Sequence, residues 1–248
     1  MASKLFDNLA AGVSSMGVGV TMPSVEVVDA YGRAGWDVFY ANMHSSRIDW
    51  HDVYDLVRAA RAWGITPCAR IPMQPWVGGD NPVLPVDAHR AYSLGASAVM
   101  ASVRSQAEAR GLVEIARVEE QRLGCELLAI PAIETATALG IAEELVAIEG
   151  MRLIFLGVSD LARELGLAGL DDPGMRELVR SLVDRAHDRG VAVAVNVGYP
   201  ADHESAWRLS VARAQWLREI GVEVVFAVPA EDFLYGQVRQ FVNEVRAQ

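Results

Sequence analysis

The stretch VAVAVNV, residues 191–197, is apolar at every position except Asn196. A strand with one wet face alternates apolar and polar residues, so an unbroken Val/Ala run belongs in a sheet covered on both faces. DPGMRELVRSLVDRAHDRG precedes it and HESAWRLSVARAQWLREIG follows it; both have helical periodicity and end in Gly, as helix C-termini often do. A doubly covered strand between two helices is the repeating unit of a parallel α/β sheet. Working outward from 191–197, the unit recurs. Strands are expected at 17–22, 36–42, 65–71, 96–102, 126–134, 152–158 and 222–228, in addition to 191–197. Helical stretches lie between them, such as DWHDVYDLVRAARAWG with Asp49 as cap and TATALGIAEELVAIEG after the fifth strand. Eight strands alternating with eight helices is the count of an α/β (β/α)8 TIM barrel. The 248 residues suit one such barrel as a single domain, 1–248. The rival is a doubly wound open sheet, which usually carries a G-x-G-x-x-G turn after its first strand; GVGVTMPS has none.

The formal charge of −10 disfavours nucleic acid and anionic membrane surfaces as partners. No run of about 18 apolar residues marks a membrane span, and no apolar segment marks a signal peptide. A cytoplasmic protein is expected. Cys68 and Cys125 are far apart with no CxxC pattern, so two reduced, buried thiols are expected.

In a barrel the chemistry collects at the C-terminal ends of the strands. The polar residues expected there are Asn42 and His44 after strand two, Arg70 after strand three, Glu134 after strand five, Ser159 and Asp160 after strand six, and Asn196 on strand seven. Glu134 and Asp160 offer hard oxygen ligands suited to Mg²⁺ or Mn²⁺, with Co²⁺ a further option. Two protein ligands leave about four of six octahedral positions open for water and a chelating α-keto acid. The same two carboxylates could instead cap the helices that follow. Arg70 could aim its fork at a ketone or enolate oxygen, or form a structural ion pair with a carboxylate of the mouth.

AIPAIETATALGIAEELVAIEGMRLIFLGVSDLARELGL, residues 129–167, resembles the metal-binding region of the HpcH/HpaI family, the class II pyruvate aldolases. Ile133 and Glu134 match the family's first metal motif, and Gly157, Ser159, Asp160 and Leu161 match its second. CARIP, with Arg70, is similar to the family's VRVP, and His44 falls at its catalytic histidine. The resemblance implies a divalent metal on Glu134 and Asp160, Arg70 as oxyanion partner, and His44 as acid or base. It implies a substrate subsite at Arg70, Ala132, Ser159 and Asp160, with Ser159 and nearby backbone N–H groups taking the substrate carboxylate. It also implies reversible aldol chemistry between a keto acid of the pyruvate or oxaloacetate class and an aldehyde. A homo-oligomer, trimer or hexamer, with the C-terminal helix exchanged between subunits, is implied too. The chain has no lysine beyond Lys4, which agrees with metal rather than Schiff-base catalysis.

Several positions depart from the family pattern. Ala41 and Met43 stand where relatives have acidic residues beside the histidine, Ala132 replaces a glutamine, and Ser93 stands at an aspartate that supports the histidine, with Asp87 nearby as a substitute. The third βα loop, PMQPWVGGDNP, is long and carries Trp76, as a lid would. Aldol cleavage of a 4-hydroxy-2-oxo acid is the expected reaction. The alternatives are a Claisen-type synthase taking an acyl thioester, and an altered barrel that has lost catalysis.

Overall fold

The structure, a computed structural model, describes residues 3–72, 84–198, 206–227 and 230–246. Its elements run α1 (Lys4–Ala11), β1 (Ser15–Val20), α2 (Val25–Arg33), β2 (Val38–Asn42), α3 (Trp50–Ala62), β3 (Thr66–Arg70), α4 (Leu84–Ser93), β4 (Ala98–Ser102) and α5 (Gln106–Leu123). They continue with β5 (Leu128–Ile133), α6 (Ala136–Gly140), α7 (Ala142–Val146), β6 (Leu153–Leu156), α8 (Val158–Leu165), a 3-10 turn (Gly169–Asp171), α9 (Pro173–His187), β7 (Ala192–Asn196), α10 (Ala206–Glu219), β8 (Val224–Phe226) and α11 (Ala230–Arg246). Each strand pairs in parallel with the next, and β8 closes on β1 through Ser15↔Val224 and Gly17↔Phe226. All eight expected strands are present and the architecture is a (β/α)8 barrel.

Side chains alternate in and out along each strand. Val38, Tyr40, Cys68, Ala98, Met100, Leu128, Ile130, Ala132, Phe155, Ala194, Val224 and Phe226 fill the barrel interior. The intervening residues, such as Phe39, Ala41, Ala69, Val99, Ile154 and Val193, pack outward against the helices. Both faces are therefore dry, which is why the strands read as continuous apolar runs. β1 supplies Gly17 and Gly19 to the interior. A Cβ on Gly17 would lie 2.4 Å from the Phe226 ring, and one on Gly19 2.5 Å from the Tyr40 hydroxyl. Those glycines leave room for Tyr40 and Phe226, which meet edge to face at 5.0 Å.

Three features differ from the sequence reading. The first strand starts two residues earlier than 17–22, because α1 precedes it and turns at Gly12 in the left-handed conformation (φ +65°). α1 closes the N-terminal end of the barrel: Leu5 is fully buried there, and its N–H donates to Thr66 Oγ1. The helix expected over TATALGIAEELVAIEG is two short helices broken at Ile141 (φ −112°, ψ 18°). Cys125 is exposed, while Cys68 is buried in the barrel, where desolvation pushes its thiol up to about 12. Among the described residues no helix is long and apolar enough to cross a membrane.

Candidate active site

The alternation that fills the barrel also builds its mouth. Counting outward in twos from Tyr40, Cys68, Met100, Ala132 and Ala194 gives Asn42, Arg70, Ser102, Glu134 and Asn196. Three adjacent strands thus present one hydrogen-bonded group. Arg70 Nη2 donates to Glu134 Oε1, and Ser102 Oγ donates to Glu134 Oε2. Glu134 is 6% exposed and Arg70 7%. The Arg70 guanidinium also lies over the Phe155 ring at 5.8 Å. Burial alone would lower the Arg70 pKa; the Glu134 carboxylate and neighbouring acidic groups outweigh it and hold it above its ordinary value. The helix-cap reading does not apply to Glu134: Thr135 caps α6 by accepting from Ala138 N–H at 3.1 Å.

Asp160 comes from the next strand–helix junction. Gly157 is the N-cap of α8, so Asp160 lies in its first turn without a side-chain cap bond. It pairs with Arg163 one turn on, in a solvent-facing contact. Asn196 Oδ1 accepts from Val158 N–H at 3.0 Å and ties the start of α8 to β7. The remaining first-turn N–H groups have no partner within the helix, as at any helix N-terminus. Ser159 Oγ, Asn42 Oδ1 and Arg70 Nε are buried with no hydrogen-bond partner among the described residues.

After β2 the chain is held by its own hydroxyls. Asn42 Nδ2 donates to Ser45 Oγ at 2.9 Å, Ser46 Oγ donates to the Asn42 carbonyl at 2.5 Å, and Ile48 N–H donates to Ser46 Oγ at 3.1 Å. This turn places His44 half-buried at the rim. Desolvation lowers the pKa of His44, Arg70 lowers it further, and Glu134 and Asp160 pull the other way; the net direction is down.

These groups share one cavity of about 370 Å³ at the C-terminal rim, lined by Tyr40, Asn42, His44, Ser45, Arg70, Glu134, Ser159, Asp160, Arg163, Asn196, Gly198 and Ala227. Seven of the eight residues expected at the mouth or in the substrate subsite, Asn42, His44, Arg70, Glu134, Ser159, Asp160 and Asn196, meet there. Ala132 does not: it lies one layer below Glu134, fully buried in the barrel interior. Ser93 closes the far end of α4, on the outer surface, where its hydroxyl accepts from Arg122 at 3.0 Å. The sequence reading missed Ser102, which ends its strand as Arg70 ends β3, and Arg163 and Gly198, which carry no local signal. The expected lid with Trp76 lies outside the described residues. A larger cavity, about 530 Å³, lies at the opposite end of the barrel between α1 and the starts of β5 to β8. Lys4 is also at that end, bonded to the Gly35 and Trp36 carbonyls.

The donor set suits a divalent ion. Two carboxylates and unpartnered oxygens of Ser159 and Asn42 face one polar cavity, and hard oxygen donors select Mg²⁺-like cations. Among the described residues no three His, Cys, Asp or Glu side chains are grouped closely enough to hold a metal ion, so an ion on these two carboxylates would leave most of its coordination to water or substrate.

The chain is similar to a 2-dehydro-3,6-dideoxy-6-sulfogluconate aldolase of Pseudomonas putida, 26% identical over 209 residues, covering 75% of this chain and 78% of that one. It is equally similar to a hydroxypyruvate/pyruvate aldolase of Rhizorhabdus wittichii, 26% identical with 91% and 92% covered. Among solved structures, an HpcH/HpaI aldolase/citrate lyase family protein from Burkholderia cenocepacia superposes with a TM-score of 0.81 at 21% identity, covering 99% of this chain and 100% of that one. A citrate lyase beta subunit from M. tuberculosis, complexed with oxaloacetate and magnesium, gives 0.61 at 17% identity, with 91% and 95% covered. The family model for HpcH/HpaI aldolase/citrate lyase matches residues 38–228, from the second strand to the end of the eighth, and the chain belongs to that family.

Proposed function

We propose that this protein is a divalent-metal-dependent aldolase that cleaves or forms 4-hydroxy-2-oxo acids through a pyruvate-type enolate. One observation carries the reading: Arg70, Glu134, Ser159, Asp160 and His44 line a single cavity, in a chain whose one lysine is at the other end of the barrel. The aldolase relatives and the magnesium-containing citrate lyase subunit support it. Glu134 and Asp160 would hold the ion, as Mg²⁺, Mn²⁺ or Co²⁺. Its contribution when bound is Lewis acidity at the keto-acid oxygens.

The remaining chemistry belongs to the chain. The first-turn N–H groups of α8 and the Ser159 hydroxyl face the position for the substrate carboxylate. Arg70, anchored by Glu134, donates to the C2 oxygen. His44 is neutral at pH 7, because its pKa lies below the ordinary 6.5, so it can accept the proton of the C4 hydroxyl. The C4–O electrons close a carbonyl as the C3–C4 bond breaks, and that bonding pair moves to C3. The aldehyde leaves, the enolate charge collects on the C2 oxygen beside Arg70, and protonation at C3 gives pyruvate.

The test is exchange of the pyruvate methyl protons in D₂O with Mn²⁺ or Mg²⁺. Metal-dependent exchange that disappears in Glu134→Ala and Asp160→Ala is the expected result; no exchange with any keto acid would end the proposal. Thiol release from an acyl thioester, dependent on keto acid and metal, would replace aldol cleavage by the Claisen alternative. We extend the reading to assembly and location: residues 1–248 as one barrel unit forming a homo-oligomer in the cytoplasm. α11 exposes Leu234, Tyr235, Val238 and Val245, an apolar surface that packing or exchange with a neighbouring subunit would cover. A monomeric mass in solution would refute the oligomer.

A further inference from the structure

Arg213 lies on α10, outside the barrel wall, yet is only 4% exposed. Its guanidinium bridges two separate parts of the chain. Nη1 donates to the Val197 carbonyl at 3.1 Å, while Nε and Nη2 donate to the Asp171 carboxylate at 3.2 and 2.5 Å. Val197 stands between two residues of the cavity. Asn196 holds the start of α8, and Gly198 forms the wall beside it. Gly198 has φ +72°, a left-handed conformation that favours glycine. A Cβ there would lie 3.7 Å from Ser159 Oγ and 3.8 Å from Arg213 Nη1. The guanidinium and the Ser159 hydroxyl, which has no partner among the described residues, therefore both lie on the side of Gly198 where a Cβ would point, no more than about 7.5 Å apart.

We propose that Arg213 is a positioning residue for the keto-acid carboxylate: it pins the Val197–Gly198 wall of the α8 subsite and sets a buried cation beside it. The inference rests on the aldolase reading above and assigns that subsite's rear wall. Its paired carboxylate does not account for the burial. Asp171 is half exposed and its attraction is screened on that side, while removing a guanidinium from water is costly. What burial achieves is placement: a fixed carbonyl, a fixed glycine, and a cation screened from solvent where a carboxylate would bind.

The experiment uses the Mn²⁺-loaded full-length protein and reads pyruvate methyl exchange in D₂O against pyruvate concentration. Arg213→Met keeps the aliphatic bulk and loses charge and donors. It should raise half-saturating pyruvate about tenfold, equivalent to about 1.4 kcal/mol, with the maximal rate changed less than twofold and Mn²⁺ affinity unchanged. Arg213→Lys should recover part of the loss. Inhibition by pyruvamide, which has no carboxylate, should be the same in all three proteins. Unchanged half-saturation, or equal weakening of pyruvate and pyruvamide, overturns the inference. Should Arg213→Met not fold, Arg213→Lys, which keeps the charge but loses the fork that spans Val197 and Asp171, should by itself raise half-saturation two- to threefold; no rise is again a refutation. Absence of exchange in the unmodified protein removes the aldolase reading itself, and this inference with it.

Discussion

Replacing Gly157 by alanine tests the site without touching any group that does chemistry. Gly157 has φ −84° and ψ 80°, close to an inverse γ-turn and on the negative-φ side that alanine readily adopts. The obstacle is Glu134. β5 and β6 pair through Ile133↔Leu156, and Gly157 N–H donates to the Ile133 carbonyl at 3.0 Å, which sets the two next residues side by side. A Cβ on residue 157 would lie 2.6 Å from Glu134 Cγ and 2.9 Å from Oε1. The closer contact falls about 0.8 Å inside the 3.4 Å onset of ordinary van der Waals contact. Glu134 has little freedom to yield, because Arg70 holds one carboxylate oxygen and Ser102 the other. Either the overlap strains the barrel rim, or the carboxylate swings away and leaves Arg70 buried without its anion.

Overpacking of this kind typically costs about 1–3 kcal/mol. For a chain of this length, about 2 kcal/mol lowers the melting temperature by roughly 4–8 °C. If Glu134 and Asp160 hold the proposed ion, metal affinity should fall at least tenfold, since a re-aimed Glu134 would no longer share it with Asp160. The assays are thermal unfolding and direct Mn²⁺ titration, with Gly166→Ala as control; Gly166 ends α8 at φ +70° with nothing near its Cβ position, so its cost is backbone strain alone. Gly157→Ala with the melting point and Mn²⁺ affinity of the unmodified protein would refute the argument that Gly157 exists to admit Glu134.

The two carboxylates should separate in stability though not in metal binding. Glu134→Gln leaves the Arg70 charge buried without a counter-charge and should cost about 3 kcal/mol, whereas Asp160→Asn, in an exposed pair, should cost no more than about 1 kcal/mol; denaturant titration distinguishes them, and equal costs would contradict the burial difference. His44→Ala should cut turnover and leave Mn²⁺ affinity intact. The acid limb of kcat/KM should fall below pH 6.5, because burial and Arg70 disfavour the protonated ring and a bound cation pushes the same way. The linked stability has the same sign: the unfolded chain takes up the His44 proton first, so this contribution is present above pH 6.5 and declines below it. An acid limb above 6.5 would exclude His44 as the base. In the native protein a thiol reagent should label Cys125 quickly and Cys68 only on unfolding, since Cys68 is buried with its thiol held near 12.

What could be read from sequence follows from how each residue's position is specified. Strand existence was legible because both faces of the sheet are dry, and for the same reason the inward face was not: VFYA offers no contrast between Tyr40, which points in, and Phe39 and Ala41, which point out. Only where a polar residue ends a strand does the parity become visible. Arg70, Glu134 and Asn196 announce it, and counting back from Glu134 in twos passes through Ala132, which places that residue beneath the mouth rather than in it. Ser102 obeys the same count and could have been found that way. α1 was missed because its fit depends on an edge it does not itself encode: Leu5 needs Thr66, 61 residues on. Arg213 is harder still, with its partners 16 and 42 residues away and no apolar pattern to mark it as buried. The polar rim was therefore readable to the extent that strand parity determines it. The groups that hold the rim in place, Gly157 against Glu134 and Arg213 beside Gly198, come from register and helix docking, and there a three-dimensional structure adds what the sequence pattern does not contain.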